Sequence, residues 1–176
     1  MSRLRRLVLF DRFFFITCRL LPHRRMVEES EFECLAGVVR ERREKHHFVL
    51  TTWVFLPDPA AAGHAIIFPR FPFTLSRVME SIKVGSTLRT HAGREERGLF
   101  WQPRFLDRAL RSVKEYSEKV EYIHLNPVRA GLVKHAEEWQ WSSVQDYTGG
   151  LSTGVSAHGI LASHNVLLPA EQGARI

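Results

Sequence analysis

Three side chains in this sequence could take part in nucleophilic or metal-assisted chemistry: the phenol of Tyr122, the amide of Asn126 and the imidazole of His64. A phenol is a fair nucleophile only once its proton is drawn off, since its free pKa is about 10. Advancing about 100 degrees per residue from Tyr122 puts Val113, Tyr116, Val120 and Ile123 on one apolar stripe that should face a sheet. Glu115, Glu118, Lys119, Tyr122 and Asn126 fall on the neighbouring polar face. Tyr116 therefore reads as a core or boundary aromatic. Tyr122 has its hydroxyl among charged groups, where it is either solvated surface or a nucleophile. Asn126 lies one turn beyond it and could ligate a metal beside the hydroxyl. Asn126-Pro127 is also a common cap for a new helical turn, and the two roles can coexist.

His64 opens or immediately precedes an apolar run, where a histidine is either a satisfied surface residue or a ligand. A His-x-His pair on a strand would aim both imidazoles at one face, but the sequence contains none. His46-His47 is an adjacent pair and reads as structural. His124 lies about 200 degrees from Tyr122 on the helical wheel and cannot easily share its site. Arg104, Arg108, Arg111, Lys114 and Lys119 precede or flank the tyrosine, with Trp101 and Phe105 among them. Cations beside aromatics suit single-stranded or hairpin nucleic acid, but the pattern is permissive, because a phosphate contact needs only a surface Lys or Arg.

These residues need elements to position them. Residues 12–19 read as a buried strand, residues 30–45 as a helix opened by a Ser30/Glu33 capping box, and residues 48–56 as a second strand. Pro57 to Gly63 breaks that strand, and His64 to Phe68 forms a hairpin partner for it. Residues 73–89 read as a second helix, 90–98 as a polar loop and 99–105 as a short edge strand limited by Pro103. Residues 108–125 read as the third helix, Gly131 as the end of the next short segment, and 136–147 as a small helix or turn carrying Trp139 and Trp141. This order predicts an α+β, ferredoxin-like split β-α-β sandwich, an antiparallel sheet with helices on one face plus an added C-terminal helical segment. One domain is expected over residues 1–148, with a loose tail over 149–176. Such a fold hosts many functions and does not choose among them.

The chain has 176 residues, 25 Lys and Arg against 19 Asp and Glu, and a net charge of +6. That balance favours a polyanionic partner and salt-dependent binding. Cys18 and Cys34 form no C-x-x-C motif, which argues against a zinc ribbon or a disulfide framework. The N-terminal residues 1–10 are basic and then apolar, but Asp11 and Arg12 interrupt them before a membrane-spanning length is reached. A cytoplasmic protein with no membrane partner is the expectation.

The stretch Val120-Glu121-Tyr122-Ile123-His124-Leu125-Asn126-Pro127-Val128-Arg129-Ala130-Gly131-Leu132-Val133 resembles the tyrosine motif of the REP-associated tyrosine transposases. Trp101-Gln102-Pro103-Arg104-Phe105 and Asp107-Arg108-Ala109 resemble the segment leading into it, and Trp139-Gln140-Trp141-Ser142-Ser143 the family's tryptophan-serine block. Trp53-Val54-Phe55-Leu56-Pro57-Asp58 is similar to the strand that ends at the family's metal motif, and the match runs from Phe13 to Tyr147. The resemblance implies a single-tyrosine HUH-type domain that cuts and rejoins single-stranded DNA near a hairpin, such as a repetitive extragenic palindrome, through a 5′-phosphotyrosine link. It implies Mg²⁺ or Mn²⁺ held by a His-hydrophobic-His pair and a polar side chain one turn after the tyrosine. By position, Tyr122 becomes the nucleophile, His64 the second strand histidine and Asn126 the helix ligand, while Arg104, Arg108, Lys119 and Arg129 become DNA contacts. Relatives often work as homodimers.

One departure stands out. In the family the histidine pair follows directly on the Pro-Asp, whereas here Asp58 is followed by Pro59-Ala60-Ala61-Ala62-Gly63 and only then His64. The first histidine is missing, its place is taken by Ala62, and about three residues are inserted. Asp58 is an oxygen donor that could substitute, since Mg²⁺ prefers oxygen, if the intervening stretch looped it back. Two functions follow: a nicking and strand-joining transposase, or a hairpin-binding protein without cleavage. A third, an RNA-binding ferredoxin-like domain, finds no aromatic-rich motif to support it.

Overall fold

The computed structural model describes residues 11–148, apart from 23, 25, 95 and 96. The tail expected after residue 148 and the N-terminal residues 1–10 lie outside them. Four strands, β1 (Phe14–Cys18), β2 (Val49–Phe55), β3 (Gly63–Phe68) and β4 (Leu106–Ala109), form an antiparallel sheet in the order β2-β3-β1-β4. With α1 (Glu29–His46) between β1 and β2, and α2 (Leu75–Arg94) between β3 and β4, this is the split β-α-β arrangement. The helices α3 (Val113–Arg129) and α4 (Val144–Thr148) follow. Among the described residues no helix is long and apolar enough to cross a membrane.

Strand alternation divides the sheet into two apolar faces. Phe14, Ile16, Leu50, Trp53 and Ile67 pack with Phe32, Leu35 and Val39 of α1 and with Val78, Met79 and Ile82 of α2. Phe13, Val49, Val54, Ile66 and Phe68 form a second core with Leu110 and with Ile123 of α3. The two crossover helices thus share one face, as expected, and α3 covers the other.

Three boundaries differ from the sequence expectation. The α1 capping box is made by Glu28 and Glu31 rather than Ser30 and Glu33: the Glu28 N–H donates to Glu31 Oε2 at 2.7 Å, and Ser30 is already the second helical residue. The helix α2 continues through the polar residues after Arg89, because Thr90 is buried, Arg94 pairs with Glu31 and its guanidinium stacks over Phe100 at 5.1 Å. The fourth strand is Leu106–Ala109, not residues 99–105, so α3 starts at Val113 rather than Arg108. Trp101 turns inward, its indole N–H donating to Ser86 Oγ at 2.8 Å, and Pro103 has no N–H to give a ladder, so continuous pairing starts only beyond it.

The stripe predicted on α3 holds for Tyr116, Val120 and Ile123, which pack on the second core. Val113 does not join it and is 38% exposed, because it is the first residue of the helix. Truncating Ile123 to alanine should therefore cost about 2–5 kcal/mol, and Val113→Ala within about 0.5 kcal/mol, in urea denaturation.

Candidate functional site

The alternation that buries Phe14 and Ile16 on one face of β1 turns Phe15 and Thr17 to the other, the face α3 covers. The register places Thr17 opposite His64. Their side chains meet, Thr17 Oγ1 lying 2.9 Å from His64 Nδ1, and the Phe15 ring stacks nearly parallel on the imidazole with centroids 5.7 Å apart. Burial, reinforced by the charges of Lys119 and Arg19, pushes the His64 pKa down to about 4. The ring is therefore neutral near neutral pH. Among the described residues its Nε2 is buried without a hydrogen-bond partner.

Tyr122 is brought to this histidine by α3. Ser112 caps the helix start, accepting from the Glu115 N–H at 3.1 Å. At the other end, Gly131 N–H bonds to Val128 O at 3.0 Å and Leu132 N–H to Pro127 O at 3.0 Å. These are the paired bonds of a Schellman stop, which needs the positive φ of 70° that Gly131 adopts. Asn126-Pro127 does not open a new turn, contrary to the capping reading. Pro127 is buried inside the last stretch of α3, and Asn126 O accepts the Ala130 N–H as in an unbroken helix.

The half-buried Tyr122 ring meets the His64 ring edge-on, with centroids 5.4 Å apart and planes at 79°, and meets Phe15 in the same manner at 5.8 Å. Lys119, one turn earlier, sets its Nζ 4.8 Å from the Phe15 centroid and 5.2 Å from that of Tyr122. The Arg129 guanidinium lies 5.5 Å from the Tyr122 centroid. Of the residues expected from sequence, Tyr122, His64, Lys119 and Arg129 are thus gathered into one cluster. Asn126 sits half-buried one turn after the tyrosine, and its side-chain amide makes no hydrogen bond among the described residues. Arg108 is outside the cluster and donates to Glu115 at 2.7 Å, while Arg104 is exposed ahead of β4 and touches none of the cluster.

Phe15 and Thr17 were not expected. Their alternation on β1 could be read, but the register that sets Thr17 against His64 could not. Ser143, named in the tryptophan-serine block, was given no partner. His124 Nε2 meets Ser143 Oγ at 3.0 Å, and that hydroxyl accepts the Trp53 N–H at 2.9 Å, tying α3 to β2. The His124 ring packs on Tyr147 at 4.9 Å and, as the wheel indicated, faces away from Tyr122; burial pushes its pKa down to about 4. His46 is structural as read, bonded to Ser81 Oγ at 2.9 Å. Trp139 donates its indole N–H to Phe55 O at 2.9 Å, so the tryptophan-serine block closes over the end of β2.

A REP-associated tyrosine transposase of Escherichia coli (strain K12) is 31% identical over 155 residues, which are 86% of this chain and 88% of that protein. The chain belongs to the REP-associated tyrosine transposase family. A solved structure of a REP-associated tyrosine transposase bound to a REP hairpin superposes with a TM-score of 0.70 at 27% identity, covering 95% of this chain and 99% of that one. No family model matches the chain.

The residues present do not complete the divalent-metal site that the family resemblance implies. Ala62, in the position of the first histidine, is fully buried and lies in helical conformation at the end of a 3-10 turn, Pro59–Ala61, outside the strand alternation that would align it with His64. Asp58 caps that turn, its Oδ1 accepting the Ala60 N–H at 2.8 Å. Among the described residues no group of three His, Cys, Asp or Glu could hold a metal ion. What remains is one imidazole and one neutral amide, beside two cations that repel a dication. Mg²⁺ is ordinarily held through carboxylate charge, which is missing here.

The support beneath the tyrosine can be checked separately. Replacing Ser143 by alanine leaves the His124 ring and the Trp53 N–H unsatisfied, and should cost about 1–3 kcal/mol in chemical denaturation.

Proposed function

We propose that this chain binds hairpin or single-stranded DNA across the Tyr122 face of α3, as a transposase-family protein whose metal-dependent cleavage is impaired. The observation that carries the reading is the Tyr122 ring placed against a neutral, buried His64 and flanked by Lys119 and Arg129. Two cations beside aromatic rings attract a phosphate backbone, and the net charge of +6 acts in the same sense. The hairpin bound by the solved relative supports DNA as the partner class. Impairment follows from chemistry: without a second strand ligand, little is left to neutralise and orient a scissile phosphate for in-line attack.

The second reading is nicking and rejoining, and the intact apposition of Tyr122 and His64 favours it. In that reaction the Tyr122 oxygen forms a bond to phosphorus as the bond to the 3′-oxygen breaks. The phenol proton is lost to solvent, and the departing oxygen takes one up as a 3′-hydroxyl.

A labelled hairpin with a single-stranded tail, incubated with Mg²⁺ or Mn²⁺, separates the two. The proposal expects salt-sensitive binding and no denaturation-resistant adduct. An adduct that disappears in Tyr122→Phe would overturn the impairment and establish the second reading. Deleting residues 59–61 together with Ala62→His should restore the strand pair and produce an adduct in Mn²⁺, with circular dichroism confirming the fold. The single change Ala62→His should only overpack the core, costing about 1–3 kcal/mol.

A further inference from the structure

We infer that Lys119 and Arg129 form a metal-independent seat for one phosphodiester of the bound DNA strand, directly against the Tyr122 ring. The inference rests on the DNA-binding reading above and names the chemistry of its central contact. Both cations belong to α3 and converge on one ring, Lys119 from the turn before Tyr122 and Arg129 from two turns after it. Neither makes an ion pair or hydrogen bond among the described residues. Glu115, one turn before Lys119, is occupied by Arg108 and by the Arg111 N–H. Glu118 and Glu121 are exposed.

The side chains differ in a useful way. A lysine ammonium is a compact point charge, while an arginine guanidinium offers a planar fork that matches two oxygens of one phosphate. Held over the faces of Phe15 and Tyr122, both are preorganised without being consumed. Beside Ala62, which supplies no ligand, these fixed charges do the neutralising that a metal would otherwise do.

The test is fluorescence anisotropy of a labelled DNA hairpin with a short single-stranded tail, in EDTA and in Mg²⁺ at matched ionic strength. The expected result is equal affinity in both buffers. Lys119→Gln and Arg129→Gln should each weaken binding about 5- to 10-fold and lower the salt slope by about one. Arg77→Gln, which removes an exposed cation from α2 on the other side of the sheet, should leave affinity nearly unchanged. If the hairpin binds only with Mg²⁺, or if the two α3 variants weaken binding no more than Arg77→Gln, the seat is wrong while the DNA-binding reading survives. No binding in either buffer at low salt would remove the DNA-binding reading and the seat with it.

Discussion

Burial of Ile123 against the second face of the sheet decides where every functional group lies. The first face is filled by α1 and α2, so Phe13, Val54, Ile66 and Phe68 need another cover, and α3 supplies it. Once Ile123 is seated among them, helical geometry leaves Tyr122 only one direction, towards Phe15 and His64. The buried link from His124 through Ser143 to Trp53 pins the same helix to β2. The tyrosine is therefore positioned by apolar packing and one polar network, not by contacts of its own hydroxyl.

The electrostatics of the cluster follow from that placement. His64 is desolvated by Phe15 and Tyr122 and faces Lys119, so it stays neutral. The residues between Asp58 and His64 include a 3-10 turn that Asp58 itself caps. The turn leaves Ala62 in the core. The strand side of the site thus offers one neutral imidazole, and its charge comes from Lys119 and Arg129 of α3.

Much of this was legible in the sequence. The order of elements, the hairpin of β2 and β3, and the stripe of Tyr116, Val120 and Ile123 all follow from periodicity, and the motif around Tyr122 carries the family. The missing histidine was visible as a spacing. What could not be read were consequences of tertiary contact. The extra turns of α2 depend on Arg94 meeting Glu31, far away in sequence. The location of β4 depends on Trp101 finding Ser86, and the role of Thr17 on strand register. Of the cations, charge alone could not tell Lys119 and Arg129, which lean on Tyr122, from Arg108, which is paired with Glu115.

The central claim is that the phenol of Tyr122 and the imidazole of His64 share one surface, and that DNA meets the protein there. Nuclear magnetic resonance on a sample labelled at histidine and tyrosine examines both parts directly. The account predicts through-space cross-peaks between the two rings in the free protein, and shifts of both sets of signals when the hairpin is added. Rings without cross-peaks, or a hairpin whose shifts fall on α1 and α2 and spare α3, would contradict it.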